Sequence, residues 1–184
     1  MRNRWTGLLA PAFAVAAAGV VFAQSNGTLR VDVTASLEPA EASVEVLPQG
    51  GGEAVASGSS GGAFDLPPGT YDVEVTLTEA IDDPVKTKRG LRVEAGLENS
   101  VTVNFDASRV TLVCRRGDGA VEGKVRIRRP GAGAWLPDVR CGEAFIVSGG
   151  SYEAEVTPAT GPVVAVDRLQ IMSGATQRIP VAIP

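Results

Sequence analysis

The chain spells one pattern twice, and this internal repeat constrains its fold more than any other feature. LPPGTYDVEV (66–75) and VSGGSYEAEV (147–156) place Tyr71 and Tyr152 81 positions apart. The same offset relates earlier apolar positions, and an offset of 78 relates those of the last segment, because a loop of the second copy is shorter. The matched pairs include Val31 with Leu112, Val44 with Val125, and Val101 with Ile179. A repeat of this kind predicts two copies of one small structural unit.

Each matched segment alternates apolar and polar residues, which is typical of a strand with one buried face. In the first copy, TLRVDVT, ASVEVLP, TYDVEVTLT and NSVTVNF follow this pattern, and turns rich in Gly, Pro and Ser separate them. Short strands with no helices between them predict an all-β fold of two tandem antiparallel Ig-like or prealbumin-like β-sandwich domains. We place the acidic first domain at 24–107 and the basic second domain at 108–184.

The repeated Tyr segment predicts structural roles for its glycines and tyrosines. In the first copy Pro68-Gly69 turns the chain, and Tyr71 re-enters facing the core. We expect Gly69 to adopt a backbone angle that a side chain would obstruct. The Tyr71 hydroxyl can reach back to the backbone of the turn, as in a tyrosine corner. Gly150 and Tyr152 are expected to take the same roles in the second copy.

The stretch LPPGTYDVEV followed by GLRVEAGLENSVTVNF resembles the carboxypeptidase-regulatory-like and PEGA-like modules of bacteria. That family has a Pro-Gly-x-Tyr turn, a strand, a loop, a strand ending in Gly, and a final alternating strand. The resemblance covers nearly all of residues 28–106. It covers 109–184 more loosely, because Gly149-Gly150-Ser151-Tyr152 replaces the Pro-Gly form. The resemblance implies a non-enzymatic accessory or interaction role and carries no catalytic residue across.

Residues 1–23 have the composition of a secretory signal peptide. Arg2 and Arg4 give a positive start, and an apolar run follows from Leu8 to Phe22. The run ends at Ala23, a small residue of the kind that a signal peptidase reads. An uncleaved anchor is the alternative, but the run is shorter than a span of roughly 20 residues. The sequence therefore predicts cleavage near Ala23 and a periplasmic or secreted protein.

The chain contains no histidine. This excludes mechanisms that use imidazole as a base or a metal ligand, including Ser-His-Asp and Cys-His arrangements. No Ser, Asp, Glu or Lys stands at a spacing that indicates activation. We therefore assign no catalytic residue, no cofactor and no metal ligand. A hydrolase with paired carboxylates is the remaining enzyme hypothesis, and it would need a cleft that small sandwiches with short loops rarely build.

Two cysteines fall in the second copy, Cys114 in its first strand and Cys141 in its fourth segment. In an exported protein they predict a disulfide. The bond would close a loop of 27 residues (141 − 114), and on the loop-entropy model it would stabilise the fold by roughly 3 to 4 kcal/mol. Two free, partly buried thiols are the alternative. The first copy has Val33 and Ser60 at the corresponding positions.

The two copies carry net charges of opposite sign. Residues 24–106 hold 14 acidic and 5 basic residues, which gives 5 − 14 = −9. Residues 107–184 hold 7 acidic and 10 basic residues, which gives 10 − 7 = +3. The two basic residues before position 24 complete the net charge of −4 of the whole chain. Genetic drift on solvated surfaces explains this difference in net charge as well as a binding surface does.

The strand GKVRIRRPG (123–131) is the candidate binding surface, because every second residue of a strand faces outward and the outward positions here are basic. The predicted binding residues are Lys124, Arg126 and Arg128 on the strand and Arg129 at the turn that follows, with Arg115 and Arg116 expected nearby on a paired first strand. A row of guanidiniums suits carboxylates, phosphates and acidic or sulfated sugars. Nucleic acid is disfavoured, because the chain is acidic overall and aromatic residues do not interleave the row.

Trp135, in GAGAWLPDV, provides a second binding hypothesis. An exposed Trp can stack on a sugar or anchor a protein partner. The alternative is that Trp135 belongs to the core, where the adjacent Leu136 competes for the inward position.

Two loop motifs have simpler structural explanations. The RGD tripeptide at 116–118 is followed by a glycine, and Asp118-Gly119 is a common hairpin turn. The loop TEAIDDPVK offers Glu79, Asp82 and Asp83 as calcium ligands, but it lacks the ordered spacing of a known calcium loop. We expect a turn at the first motif and a solvated acidic loop at the second.

Together these features predict an exported, non-catalytic interaction or scaffolding module. Its expected partner is an envelope or secreted protein with an acidic face, or an anionic polysaccharide, bound by the second domain. Head-to-tail self-association, in which the acidic first domain of one chain meets the basic second domain of another, is a further expectation that salt would weaken. A carbohydrate-binding module that uses Trp135 is the alternative.

Overall fold

The computed structural model describes residues 25–184 with the exception of the Asp167 side chain, so the predicted signal peptide lies outside the described residues. Sixteen strands form four sheets, two in each half of this range. The predicted all-β class is confirmed. Across residues 25–184 there is no helix of the length and hydropathy that crossing a membrane requires.

The first eight strands form one unit, here named the first repeat. They are β1 (Gly27–Ala35), β2 (Glu38–Pro39), β3 (Ser43–Pro48), β4 (Ala56–Ser59), β5 (Ala63–Leu66), β6 (Gly69–Thr76), β7 (Val85–Val93) and β8 (Glu98–Phe105). One sheet has the order β2-β1-β5, with β8 also paired to β1, and the other has the order β4-β3-β6-β7.

The second eight strands, here named the second repeat, reproduce this arrangement strand for strand. They are β9 (Ala107–Arg116), β10 (Gly119–Ala120), β11 (Gly123–Arg128), β12 (Val139–Arg140), β13 (Ala144–Ser148), β14 (Gly150–Pro158), β15 (Val164–Ile171) and β16 (Thr176–Ala182). One sheet has the order β10-β9-β13, with β16 also paired to β9, and the other has the order β12-β11-β14-β15.

Each repeat contains one parallel strand pair in addition to the predicted antiparallel pairings. The last strand runs parallel to the first, β8 beside β1 and β16 beside β9. The chain changes sheet between β7 and β8, so β8 approaches β1 without a hairpin and in the same direction. The registers align Val31 with Val101 and Leu112 with Ile179, which agrees with the offsets of 81 and 78 in the sequence.

Alternation along the strands builds a separate hydrophobic cluster in each repeat. In β1, Leu29, Val31 and Val33 point inward and are almost fully buried. Their counterparts in β9 occupy the same places in the second cluster. Full burial of such a side chain stabilises the fold by about 1.5 to 3 kcal/mol. Two residues of the second repeat are exceptions, because Ala107 at the start of β9 and Ile146 on β13 pack in the cluster of the first repeat.

Ile146 lies where a loop of the first repeat contacts the second. Residues 77–84 join β6 to β7, and we refer to them as the clamp loop. Ala80 forms a parallel β-bridge with Ile146, and the backbone NH of Ile81 donates a hydrogen bond of 2.9 Å to the Ile146 carbonyl oxygen. Because β8 and β9 are separated by Asp106 alone, the clamp loop provides a second attachment between the repeats.

The acidic side chains of the clamp loop strengthen this attachment. The Glu79 carboxylate lies 3.6 Å from the Arg109 guanidinium. Asp82 accepts a hydrogen bond of 3.1 Å from the Ser148 backbone NH and lies 4.0 Å from the Arg129 guanidinium. The expectation of a solvated acidic loop is therefore wrong for Asp82, whose side chain is only 14% exposed, whereas Glu79 and Asp83 are exposed. Within residues 25–184, no group of three or more acidic or Cys side chains is arranged to hold a metal ion.

Both tyrosines form the corner that the repeated motif suggests. The Tyr71 hydroxyl donates a 2.8 Å hydrogen bond to the Pro67 carbonyl oxygen, and the Tyr152 hydroxyl donates a 2.7 Å bond to that of Ser148. Each bond spans four residues and closes the turn that leads into β6 or β14. Burial, followed by the negative charge of Asp82, raises the pKa of Tyr152 to about 12, against an opposing contribution from the Arg129 guanidinium.

The two glycines at the start of these strands differ from each other. Gly150 has a φ of +139°, and a Cβ there would lie 2.1 Å from Nη1 of Arg129. Gly69 has no positive φ, so the expectation of an unusual backbone angle at this position is wrong. Its requirement is steric instead, because a Cβ at Gly69 would lie 3.3 Å from the Tyr71 ring.

Cys114 and Cys141 form a disulfide with a Cα–Cα distance of 5.6 Å. The bond joins β9 to the crossover between β12 and β13, so it links the two sheets of the second repeat. The crossover is anchored to both sheets by backbone hydrogen bonds, from Cys141 NH to Gly123 O at 2.9 Å and from Gly142 NH to Leu112 O at 2.7 Å. The first repeat has the equivalent bonds from Ser60 and Gly61, without a disulfide.

Candidate interaction surface

The outward face of the sheet β12-β11-β14-β15 assembles most of the predicted binding residues. Arg126 and Arg128 lie on β11, directly opposite Glu155 and Glu153 of β14. Nε of Arg126 donates a 2.8 Å hydrogen bond to Glu155, and Nε of Arg128 donates a 2.7 Å bond to Glu153. Charge-assisted bonds of this type hold a guanidinium in one orientation.

Trp135 lies against both of these arginines. Its ring centroid is 4.8 Å from the guanidinium carbon of Arg126 and 4.4 Å from that of Arg128. Contacts at this distance are favourable cation–π interactions. We name the cluster of Trp135, Arg126, Arg128, Glu153 and Glu155 the Trp135 platform.

The loop that carries Trp135 folds back over the sheet because of two backbone hydrogen bonds. The Ala132 NH donates to the Arg129 carbonyl oxygen at 3.0 Å, and the Leu136 NH donates to that of Ile127 at 2.8 Å. Leu136 packs against the core of the second repeat. The sequence did not determine whether Trp135 or Leu136 faces the core, and in the structure it is Leu136. Trp135 is half-buried on the outer face.

The predicted row of basic side chains is present on the outward face, but carboxylates balance its charge. Arg126 and Arg128 do share the outward face of β11, but each has a carboxylate partner. Lys124, the third member of the row, lies 3.8 Å from Asp138. Two arginines and two glutamates leave the Trp135 platform without net charge. The sequence of β11 by itself shows only the basic side chains, and the acidic ones come from β14 and from the loop before β12.

Glu153 and Glu155 are the members of the platform that sequence reasoning missed. The signal was present in SYEAEV, where both glutamates occupy outward positions of the Tyr strand. Pairing that strand with GKVRIRR places acidic residues opposite basic ones. Strand pairing, which the sequence did not provide, was the missing step.

Arg129 follows the row at the turn after β11 and lies against the clamp loop. Its guanidinium carbon lies 4.3 Å from the centroid of the Tyr152 ring, and Nη1 donates a 3.0 Å hydrogen bond to the Gly149 carbonyl oxygen. With Asp82 at 4.0 Å, Arg129 joins the clamp loop to the tyrosine corner of the second repeat.

Arg115 and Arg116 lie on β9, which belongs to the other sheet and does not pair with β11. The prediction that they lie beside the β11 row is therefore wrong. Nε of Arg116 donates a 2.8 Å hydrogen bond to the carbonyl oxygen of Pro184. The exposed RGD tripeptide is part of a two-residue hairpin turn as expected, but the turn is centred on Gly117-Asp118, one residue earlier than predicted. Gly117 has a φ of +58°.

The equivalent face of the first repeat is built differently. Glu45 of β3 lies opposite Glu74 of β6, and Leu47 lies opposite Asp72. Asp72 is buried and accepts hydrogen bonds from the backbone NH groups of Gly90 at 2.9 Å and Gly50 at 3.0 Å. These two bonds, that from Gly90 first, lower the pKa of the Asp72 carboxyl below its ordinary value. Asp72 therefore fastens the loop after β3 to a bulge in β7.

Comparison with known proteins gives similarity only at the level of solved structures. No family model matches the sequence, and no curated protein matches it. The chain is similar to the Bacillus anthracis TIE protein, with a TM-score of 0.34 and 16% identity over 86% of this chain and 34% of that one. It is also similar to a Bacteroides ovatus protein assigned to cell adhesion, with a TM-score of 0.46 and 10% identity over 88% and 93% of the two chains.

A further likeness is to the major pilin from Streptococcus pyogenes, with a TM-score of 0.19 and 10% identity over 85% of this chain and 98% of that one. This chain spans about a third of the length of the Bacillus anthracis protein. No comparison assigns the chain to a family, so its resemblance to carboxypeptidase-regulatory-like and PEGA-like modules stays a prediction.

Proposed function

We propose that the chain is an exported, non-catalytic interaction module of two β-sandwich domains, 24–107 and 108–184, that binds a protein partner through the Trp135 platform. One observation carries this proposal. A half-buried tryptophan is held on the outer face of a sheet against two arginines, and each arginine is fixed by a carboxylate on the neighbouring strand.

Tryptophan and arginine are the residues that most often dominate the binding energy of protein interfaces. Their contribution is larger when the free protein already holds them in the bound orientation, because less side-chain entropy is lost on binding. In the platform the two ion pairs and the Trp135 contacts provide this order. The side chains of Arg126 and Arg128 remain 45% and 32% exposed, so a partner can reach them.

The charge balance of the platform indicates the kind of partner. A polyanion gains most from uncompensated cations, whereas Arg126 and Arg128 are already paired. A protein face that covers the Trp135 ring and offers polar groups to the guanidinium edges fits this surface better. We therefore favour an envelope or secreted protein over an anionic polysaccharide.

Two sequence features support the rest of the proposal. Residues 1–23 have the pattern of a cleaved signal peptide, which supports export. The absence of histidine removes the side chain that most often acts as a general base near neutral pH, which supports a non-catalytic role.

Crosslinking and affinity capture from envelope extract test the platform directly. The baits are the mature chain, Trp135→Ala, and Arg126→Glu combined with Arg128→Glu. A matched control exchanges the partners of one ion pair, with Arg126→Glu and Glu155→Arg, and keeps the pair while altering its direction. We expect the mature chain to capture one protein that Trp135→Ala and the double arginine variant lose.

Capture of the same proteins by all baits would contradict a role for the platform. Retention of the mature chain on a glycan array, lost in Trp135→Ala and without any captured protein, would instead establish the carbohydrate-binding alternative.

A further inference from the structure

The strand registers bring like charges face to face at two places in the described sheets, one in each repeat. In the first repeat Glu45 of β3 lies opposite Glu74 of β6. In the second repeat Lys124 of β11 lies opposite Arg140 of β12. Like charges directly opposite each other destabilise a pair of strands. Neither pair is explained by the fold, which would accept neutral residues at all four positions.

The acidic pair has no cation to relieve it within ion-pair distance. Glu45 and Glu74 are both exposed, and neither forms an ion pair with any residue of the range 25–184. The row across the sheet continues with Ser57 of β4 beyond Glu45 and with Thr87 of β7 beyond Glu74. Arg89 lines the same groove as Glu74 and forms no ion pair with it. The face therefore presents two adjacent uncompensated carboxylates.

The basic pair is the closer of the two. The Cys141 NH bonds to the Gly123 carbonyl oxygen, which makes Lys124 and Arg140 a non-hydrogen-bonded pair of the ladder. At such positions the Cα atoms are only about 4.5 Å apart and the side chains crowd together. Asp138 reaches Lys124 at 3.8 Å, but no carboxylate of the described chain lies within ion-pair distance of Arg140. Both side chains are exposed and border a groove with Thr157.

We infer that these two faces bind each other between two copies of this chain. The acidic pair of one copy meets the basic pair of the other, so the contact relieves both repulsions at once. The two pairs are opposite in sign and lie on corresponding sheets of the two repeats, and among the described side chains no ion pair joins one of them to the other within a single chain. Asp138 compensates Lys124 in part, so Arg140 is the member of the basic pair that a second copy's carboxylates gain most from reaching. The net charges of −9 and +3 of the two halves steer the encounter in the same sense.

This contact involves none of the five side chains of the Trp135 platform, so the inference does not rest on the proposed function. Its specificity comes from exposed charges, so the association is weak and sensitive to salt.

Charge reversal in analytical ultracentrifugation tests the inference. The acid-reversed variant carries Glu45→Lys and Glu74→Lys, and the base-reversed variant carries Lys124→Glu and Arg140→Glu. We expect the wild-type chain to associate in low salt as its concentration rises and to return to monomer at about 1 M salt, where the Debye length is about 3 Å. Each variant by itself should stay monomeric, and an equimolar mixture of the two should associate.

Two controls separate the contact from a general effect of net charge. Glu53→Lys with Glu98→Lys, and Arg115→Glu with Arg178→Glu, change the net charge by the same amounts at exposed positions elsewhere. Both control variants should associate like the wild type, and Trp135→Ala should as well. Circular dichroism checks that each variant keeps its strand content.

A wild-type chain that remains monomeric in low salt at high concentration overturns the inference. So does a mixture of the reversed variants that fails to associate, or a control variant that loses association to the same extent. None of these outcomes affects capture of a separate partner by the Trp135 platform, so the two proposals fail independently.

Discussion

The two repeats share their interior and differ on their outer faces. Both have the same strand order, the same parallel pairing of first and last strands, and a tyrosine corner closed over four residues. At equivalent outward positions of the central strands, the first repeat pairs Glu45 with Glu74, and the second pairs Arg126 with Glu155. The fold therefore fixes the inward residues and the turns, and it leaves the outward residues free to take on binding roles.

The repeats also differ in how their two sheets are joined. Both anchor the crossover between sheets with the same two backbone hydrogen bonds, but only the second repeat adds the bond between Cys114 and Cys141. The clamp loop is likewise specific to one copy. Its contacts at Arg109 and Arg129 correspond to Thr28 and Pro48 in the first repeat, which carry no charge. The attachment is therefore directional, because the clamp loop of the first repeat contacts charged side chains that only the second repeat has.

The disulfide is the largest single difference between the repeats, and its removal should cause the largest loss of stability. We expect Cys114→Val with Cys141→Ser, the residues that the first repeat has at these positions, to lower the free energy of unfolding by about 3 kcal/mol. Urea denaturation followed by circular dichroism measures the change. The wild-type chain treated with a reductant serves as the control, and it should lose the same stability. A loss below about 1 kcal/mol would show that the backbone hydrogen bonds already fix the crossover.

The titration of Tyr152 should give the next largest change in the free energy of unfolding, and it reports on the clamp loop. In Tyr71→Phe, Tyr152 is the only tyrosine of the chain. Its titration, followed by the ultraviolet absorbance of tyrosinate, should have a midpoint at about 12. The unfolded chain loses this proton at about pH 10. Because the pKa of Tyr152 is higher in the folded chain, the protonated hydroxyl contributes its full stabilisation below pH 10. This contribution is lost as the pH rises towards 12. At about 1.4 kcal/mol per pKa unit, the loss is about 2 to 3 kcal/mol.

The same titration tests the contact between the repeats. The Asp82 carboxylate raises the pKa of Tyr152 from across the clamp, so Asp82→Asn should lower the midpoint. Asp83→Asn is the matched control, because Asp83 is its exposed neighbour. An unchanged midpoint in Asp82→Asn would mean that the clamp loop does not dock on the corner in solution.

The glycines that begin β6 and β14 should respond unequally to the same substitution. Gly150→Ala places a side chain at a φ of +139° and against Arg129, so we expect a loss of about 1 to 3 kcal/mol in thermal or urea unfolding. Gly69→Ala meets only the Tyr71 ring at ordinary φ, and we expect a loss below about 1 kcal/mol. Equal losses would contradict the difference between the two corners.

A feature of the fold or of the candidate site could be predicted from the sequence when a single segment contained the pattern that encodes it. Alternation within a segment predicts a strand and its inward face, and the offset of 81 predicts which residues correspond, so the class and the cores were predictable. The Asp82 contacts and the Arg126–Glu155 pair join residues far apart in the chain, 66 and 29 positions, and no local pattern encodes them. The parallel pairing of β1 with β8 also depends on where the chain changes sheet.

The smallest expected effect comes from giving the first repeat the charge pair of the second. Glu45→Arg replaces two opposed carboxylates with an arginine opposite Glu74, as Arg126 lies opposite Glu155. We expect a gain of about 0.2 to 1 kcal/mol in the free energy of unfolding, because a repulsive cross-strand pair becomes attractive. Glu45→Gln is the control and should recover only part of the gain. The same change should weaken self-association, since the face loses its paired carboxylates. A variant that is more stable and still associates would show that Glu45 is not part of the contact between copies.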